Sequence, residues 1–329
     1  MSFLSLGRAL AAVALCSLPI AGTASAEGRG PAFAARLPLA SRAAPSARRV
    51  IYYYQTQYNG PQYVSLKPMW TRLNPQTHKP AVTDMMIAAV HLGTNANGSP
   101  YIHINDNVPK NPMFDQMWVE VAKLQAHGVT ARFMLGGAAQ GSYALLFAQR
   151  SVYYPILRDT LARYHLNGID LDVEEPVTLA NIEWLIAQLR HDFGAAFLIT
   201  LSPVATDLNG GGGLSGFSYP QLYASSVGPD IAWFNTQFYS GFGSLASPSD
   251  YESIIAYGFP PDKVVAGMLD SPNDGSGYVP VATVAQTVHT LAQLYPTFGG
   301  VAGWEYFDAL PGGISAPIDW ASLMSNAMQ

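Results

Sequence analysis

Asn167-Gly168-Ile169-Asp170-Leu171-Asp172-Val173-Glu174-Glu175-Pro176 decides how this 329-residue chain is read. Branched apolar residues alternate with acids, which is the period of a β-strand, where successive side chains point to opposite faces. Asp170, Asp172 and Glu174 therefore share one face, each about 6–7 Å from the next, and Ile169, Leu171 and Val173 share the other. Like charges in a row destabilise a sheet, yet the flanking residues read as a buried strand. A local rule broken in this way marks an expected functional site. Carboxylates held so close cannot all ionise, so at least one keeps its proton near neutral pH. A protonated carboxyl is what a glycosidic oxygen needs in order to leave as an alcohol. Glu174, last in the row before Pro176 ends the strand, should reach furthest into a cleft. An acidic edge strand or a divalent-cation site is the alternative, since oxygen ligands at alternate positions also suit a metal.

Strand and helix signals alternate on both sides of this stretch. Residues 50–54, 85–92, 131–135, 197–201, 231–239, 263–269 and 300–306 read as further strands. Phe114, Trp118, Val121 and Leu124 keep helical spacing up to Gly128, and Thr178 caps a helix with apolar face Ile182, Leu185, Ile186, Leu189 and Phe193, closed by Gly194. Asn97-Gly98 before Tyr101-Ile102-His103-Ile104 is a hairpin-turn signal, and residues 210–213 are a glycine run that marks a loop. The pattern predicts an α/β protein, a single (β/α)8 TIM barrel with its site at the C-terminal ends of the strands.

Gly168-Ile169-Asp170-Leu171-Asp172-Val173-Glu174 resembles the signature of glycoside hydrolase family 18, glycine-x-aspartate-x-aspartate-x-glutamate on the fourth barrel strand; Asn167 replaces the usual leading aspartate. The resemblance extends from about Tyr52 to the C-terminus. Stretches such as Asn235-Thr236-Gln237-Phe238-Tyr239-Ser240-Gly241-Phe242-Gly243 and Gly303-Trp304-Glu305-Tyr306-Phe307 are similar to those of fungal secreted endo-β-N-acetylglucosaminidases, enzymes that cut the chitobiose core of high-mannose N-glycans. It implies a substrate-assisted mechanism in which Glu174 is acid and base, Asp172 orients the substrate acetamido group, Asp170 shares a proton with Asp172, and Tyr239 hydrogen-bonds the acetamido group. Gln237, Asn235, Trp304, Gly136, Gly137, Tyr54, Gln55 and Glu305 form the expected substrate-binding set. Gly136-Gly137 follows the third strand, where small residues allow a close approach. Trp304 would floor the subsite of the reacting sugar, or else pack in the core. For Tyr52, Tyr54 and Gln55, core and site readings stand equal, because such residues mostly fill barrels. Ser240 stands where the family has an aspartate. A chitinase shares all these site residues, and a sugar-binding protein on the same barrel is the non-enzymatic alternative.

Residues 1–26 read as a secretory signal peptide: Arg8, an apolar run over 9–20, then Ala24-Ser25-Ala26. Residues 27–48 read as a flexible linker or pro-segment, and 49–329 as the barrel. The chain's single cysteine, Cys16, lies in the leader, which removes disulfides and thiolate sites from the mature chain. A net charge of −5 without a dense basic run argues against nucleic acid. None of the seven histidines is paired at metal-ligand spacing. The expected partner is a GlcNAc-containing glycan, met by a secreted monomer with no metal, no cofactor and no membrane attachment after leader removal.

Overall fold

The computed structural model describes residues 48–329. The expected leader, and the expected linker apart from Arg48, lie outside the described residues. Eight parallel strands close on themselves: β1 (Arg49–Tyr54), β2 (Asp84–Thr94), β3 (Thr130–Gly136), β4 (Gly168–Asp172), β5 (Leu198–Leu201), β6 (Ile231–Gln237), β7 (Val264–Leu269) and β8 (Gly300–Trp304). Each pairs with its neighbours in sequence order, and β1 closes the ring by pairing with both β8 and β2. This is the (β/α)8 barrel that the alternation of elements predicts. Parallel strands covered on both faces must be apolar almost throughout, as β7 (Val264-Val265-Ala266-Gly267-Met268-Leu269) is, with every residue buried.

The core has two layers. Ile51, Tyr53, Met86, Ala88, Met134, Trp233, Val265 and Ala302 pack together inside the barrel. Tyr52, Tyr54, Ile169, Leu171, Ile182 and Leu185 belong to the larger layer between strands and helices. On β4 the two faces separate as the alternation requires: Ile169 and Leu171 go out to the helices, and the aspartates go in.

Local signals set the surrounding elements. In the helix Leu179–Phe193, Thr178 Oγ1 accepts from Asn181 N at 3.3 Å. Gly194 ends that helix with φ 75°, a left-handed value that glycine adopts without cost. β2 outruns its neighbours, and its outer half pairs antiparallel with Pro100–Ile104 across Asn97-Gly98. β6 and β8 each stop two residues earlier than the sequence pattern predicts, at Gln237 and Trp304. There the chain leaves the ladder to build the loops of the barrel mouth.

The opposite end is held by a buried ion pair. Asp84, first residue of β2, accepts from Arg132 Nη2 at 2.6 Å, from Thr130 Oγ1 at 2.5 Å and from Thr83 Oγ1 at 2.6 Å. The Arg132 guanidinium is fully buried and lies 4.4 Å from the centre of the Trp233 ring, which Arg49 approaches at 3.9 Å. Removing one partner of such a pair leaves an uncompensated buried charge. Arg132→Met is expected to lower unfolding free energy by about 3–5 kcal/mol, read by urea denaturation. Unchanged stability would contradict this account of the barrel floor.

Candidate active site

β4 carries Asp170 and Asp172 into the barrel at the levels of Met134 and Gly136 on β3. Asp170 is 0% exposed and accepts four hydrogen bonds. Tyr53 Oη donates to its Oδ2 at 2.7 Å and Ser202 Oγ at 2.5 Å; Thr200 Oγ1 reaches Oδ1 at 2.6 Å and Asn235 Nδ2 at 3.0 Å. Those donors come from β1, from β5 and its exit, and from β6, so the carboxylate is a knot joining three strands to β4. Asn235 is itself fixed, its Oδ1 accepting from Trp233 Nε1 at 2.8 Å.

Asp172 is buried one layer above, and Glu174 lies two residues past the end of β4, largely buried with part of its surface open to solvent. The Gln237 amide spans them: Nε2 is 3.0 Å from Asp172 Oδ1, 3.3 Å from Glu174 Oε1 and 2.9 Å from Ser202 O. One NH₂ group has two hydrogens for these three acceptors, so the two carboxyls compete for it. Burial pushes the Asp172 carboxyl well above the ordinary carboxylate range, with the charges of Glu174 and Asp170 adding to the effect and Gln237 opposing it. Glu174 is also raised by burial, again against the Gln237 donor. The arrangement thus keeps a proton on the Asp172–Glu174 pair close to neutral pH.

Gly136 and Gly137 are where β3 meets this pair, with φ +98° and +89°. A Cβ on Gly136 would collide with the Asp172 carbonyl oxygen and meet the Tyr143 ring at 2.7 Å, and Gly137 N donates to Asp172 O at 2.9 Å. Tyr239, just beyond β6, is largely buried; burial, with the charges of Asp172, Glu174 and Asp170 next in weight, pushes its phenol well above the ordinary tyrosine value and keeps it a neutral donor. Trp304, at the end of β8, stands part-exposed above the inner layer with its ring 5.5 Å from that of Tyr53.

Three expected site residues sit differently. Tyr54 is turned into the outer layer, with its hydroxyl on Val64 O at 2.6 Å. Its neighbour Tyr53 faces the acids instead, because one residue along a strand is a change of face. The Glu305 carboxylate points at the loop after β1, accepting from Thr56 N and Thr56 Oγ1, each at 2.7 Å, and from Gln55 N at 3.1 Å. Gln55 enters that loop clamp through its backbone. Tyr53, Ser202 and Thr200 escape the sequence reading. The run Tyr52-Tyr53-Tyr54 offers no alternation from which to choose a face, and Thr200 and Ser202 show their alignment with Asp170 only once β5 is paired with β4. Asn167, the departure in the motif, lies at the far end of β4, where its Oδ1 accepts from Ala131 N and Gln125 Nε2, both at 2.9 Å.

No family model matches the chain. Among solved structures, a fungal endo-beta-N-acetylglucosaminidase from glycosyl hydrolase family 18 is 41% identical with a TM-score of 0.79, over 86% of this chain and 99% of that one. Chitinase ChiC from Aspergillus fumigatus is 42% identical with a TM-score of 0.74, over 86% of this chain and all of that one (100%). Chitinase 2 of Rhizopus oligosporus is 29% identical over 206 residues, 56% of this chain, and the match spans 35% of that relative's length.

The close approach of β3 to Asp172 can be separated from glycine's backbone freedom. Gly141 has φ +117° and open space where a Cβ would stand, whereas Gly136 has both a positive φ and a collision. Gly141→Ala should therefore cost about 1 kcal/mol or little more, and Gly136→Ala distinctly more, read by chemical denaturation. Equal losses would contradict the contact with Asp172.

Proposed function

The chain belongs to glycosyl hydrolase family 18, and from that premise we propose that it is a secreted, retaining endo-β-N-acetylglucosaminidase cleaving the GlcNAc-β-1,4-GlcNAc bond of the chitobiose core of high-mannose N-glycans. The observation that carries this reading is the pair Asp172 and Glu174 bridged by one amide, both raised by burial, at the mouth of the barrel. Secretion rests on the leader pattern of residues 1–26. Among the described residues no helix is long and apolar enough to cross a membrane.

In the proposed mechanism Glu174 gives its proton to the glycosidic oxygen while the acetamido oxygen of the sugar on the non-reducing side attacks that sugar's anomeric carbon. The carbon–oxygen bond to the leaving sugar breaks, and an oxazolinium ion forms. Asp172 orients the acetamido group and stabilises the developing positive charge; the charge of Asp170, beneath it, helps to raise the Asp172 carboxyl. Tyr239 donates to the acetamido oxygen, and Trp304 offers an indole face to the apolar side of the pyranose. Glu174, now a carboxylate, takes a proton from water, which attacks the anomeric carbon and restores the original configuration. The substrate's own amide takes the place of the second carboxylate of the usual pair.

A chitinase is the second reading, carried by the likeness to the Aspergillus fumigatus and Rhizopus enzymes. The experiment that decides is incubation of the protein, beside Glu174→Gln, with a high-mannose glycoprotein and with chitin oligomers. Glycan release that falls by about 10²–10⁴-fold in the variant is the expected result. Cleavage of chitin oligomers alone makes the protein a chitinase, and binding without cleavage by either form makes it a sugar-binding protein.

The pH profile tests the shared amide. Glu174 must hold a proton to act as acid, so kcat/KM falls as pH rises through its raised pKa. The Gln237 donor favours the ionised form of both carboxyls and lowers both pKa values. Gln237→Leu should therefore move the alkaline limb of kcat/KM to higher pH, whatever it does to the maximum. A limb that stays in place or moves to lower pH would contradict the bridge.

A further inference from the structure

A second group of acids lies beside the proposed site, on the chain segments that leave β7 and β8. Asp270 follows β7 directly; it is 1% exposed, and neither carboxylate oxygen has a hydrogen-bond partner. Asp308 is likewise buried, with Oδ1 unpartnered and Oδ2 accepting from Ser271 Oγ at 3.1 Å and Asn273 Nδ2 at 3.4 Å. Asp274, partly exposed, accepts on Oδ2 from Ser271 N and Glu305 N, both at 3.1 Å. One oxygen from each of the three lies within 4.8 Å of the others. Among the described residues no lysine, arginine or histidine forms an ion pair with any of them.

Native proteins leave few buried polar atoms without a partner, and one such atom asks for an unseen water, ion or functional reason. Here three buried oxygens are orphaned together, and two belong to a side chain sealed from solvent. We infer that Asp270, Asp274 and Asp308 hold a divalent cation of the calcium class between the segments that follow β7 and β8. All three donors are hard carboxylate oxygens, the set taken by Ca²⁺, Mg²⁺ or Mn²⁺ rather than by Zn²⁺ or copper. Oxygens sharing one Ca²⁺ at 2.3–2.6 Å lie at most about 4.6–5.2 Å apart, which the observed cluster meets. Calcium takes six to eight oxygens in flexible geometry, and the exposed side of Asp274 admits water for the rest.

The consequence falls on the strand-eight exit. Asp270 N donates to Trp304 O at 2.8 Å, and Asp274 receives Glu305 N. A cation on these carboxylates fixes the backbone that presents Trp304, and through Glu305 it steadies the loop after β1. The inference rests on the orphaned oxygens and stands apart from the choice of substrate.

The test uses the full chain, stripped with EDTA, exchanged into chelator-free buffer near pH 7.5, and titrated with CaCl₂ by calorimetry and thermal melting. One Ca²⁺ per chain, a Tm that rises with Ca²⁺ and falls again with EDTA, and a Kd weakened at least about tenfold in Asp274→Asn is the expected result. Asp308→Asn serves as the second variant and should weaken binding likewise. A Tm indifferent to EDTA and to millimolar Ca²⁺, Mg²⁺ and Mn²⁺, with no heat of binding, would overturn the inference and leave a proton-sharing cluster. Binding of undiminished strength in both variants would overturn it as well, by placing the cation elsewhere.

Discussion

Everything else in this molecule follows from the placing of Asp170 and Asp172 on β4, and of Glu174 just beyond its end, in a poorly solvated space. In such surroundings like charges repel far more strongly than in water, and desolvation favours the neutral form of each acid. The fold meets this in two different ways within a few ångströms. Asp170 receives four donors from three other strands, which satisfies its acceptor capacity. Asp172 receives a single amide that it must share with Glu174. Three acids on one face are thereby made unequal, and inequality of neighbouring carboxyls is how a fold assigns acid and base roles.

The barrel makes that division possible because its two ends are built for different purposes. At the N-terminal end of the strands, Arg132, Asp84, Thr83 and Thr130 form a paired polar floor under Trp233. At the C-terminal end the ladder stops early on β6 and β8, freeing Tyr239 and the residues after Trp304 to form the mouth. Gly136 allows the backbone of β3 to lie against that of β4, so the Asp172 carbonyl and the Tyr143 ring occupy the space where a side chain on β3 would otherwise stand. In such a barrel the mouth loops can change while the scaffold beneath them stays as it is.

Much of this is legible in the chain because the signals are local. The alternation from Ile169 to Glu174 gives the faces of β4, Thr178 and Gly194 bound their helix, and Gly136-Gly137 marks the close approach. What resists reading is relational. Tyr53 and Tyr54 are the same residue type side by side in an apolar run, and only the register of β1 against β2 and β8 tells which one faces the acids. Ser202 lacks the turn that would mark a nucleophile, and its part in holding Asp170 emerges only from the exit of β5. Glu305 looks like a substrate contact by its place beside Trp304, yet its carboxylate is saturated by the β1 loop. The group of Asp270, Asp274 and Asp308 spans two strand exits with no motif spacing, so no scan along the chain would unite them.

Burial, mutual charge and a shared amide together hold a proton on the Asp172–Glu174 pair near neutral pH. Neutron diffraction from deuterium-exchanged crystals grown near pH 7 tests it most directly, because the method locates the hydrogen isotope on the carboxyl. Deuterium bound to the Asp172 or the Glu174 carboxyl is the predicted result. Nuclear density showing Asp172 and Glu174 both bare, with the Gln237 amide still between them, would contradict it.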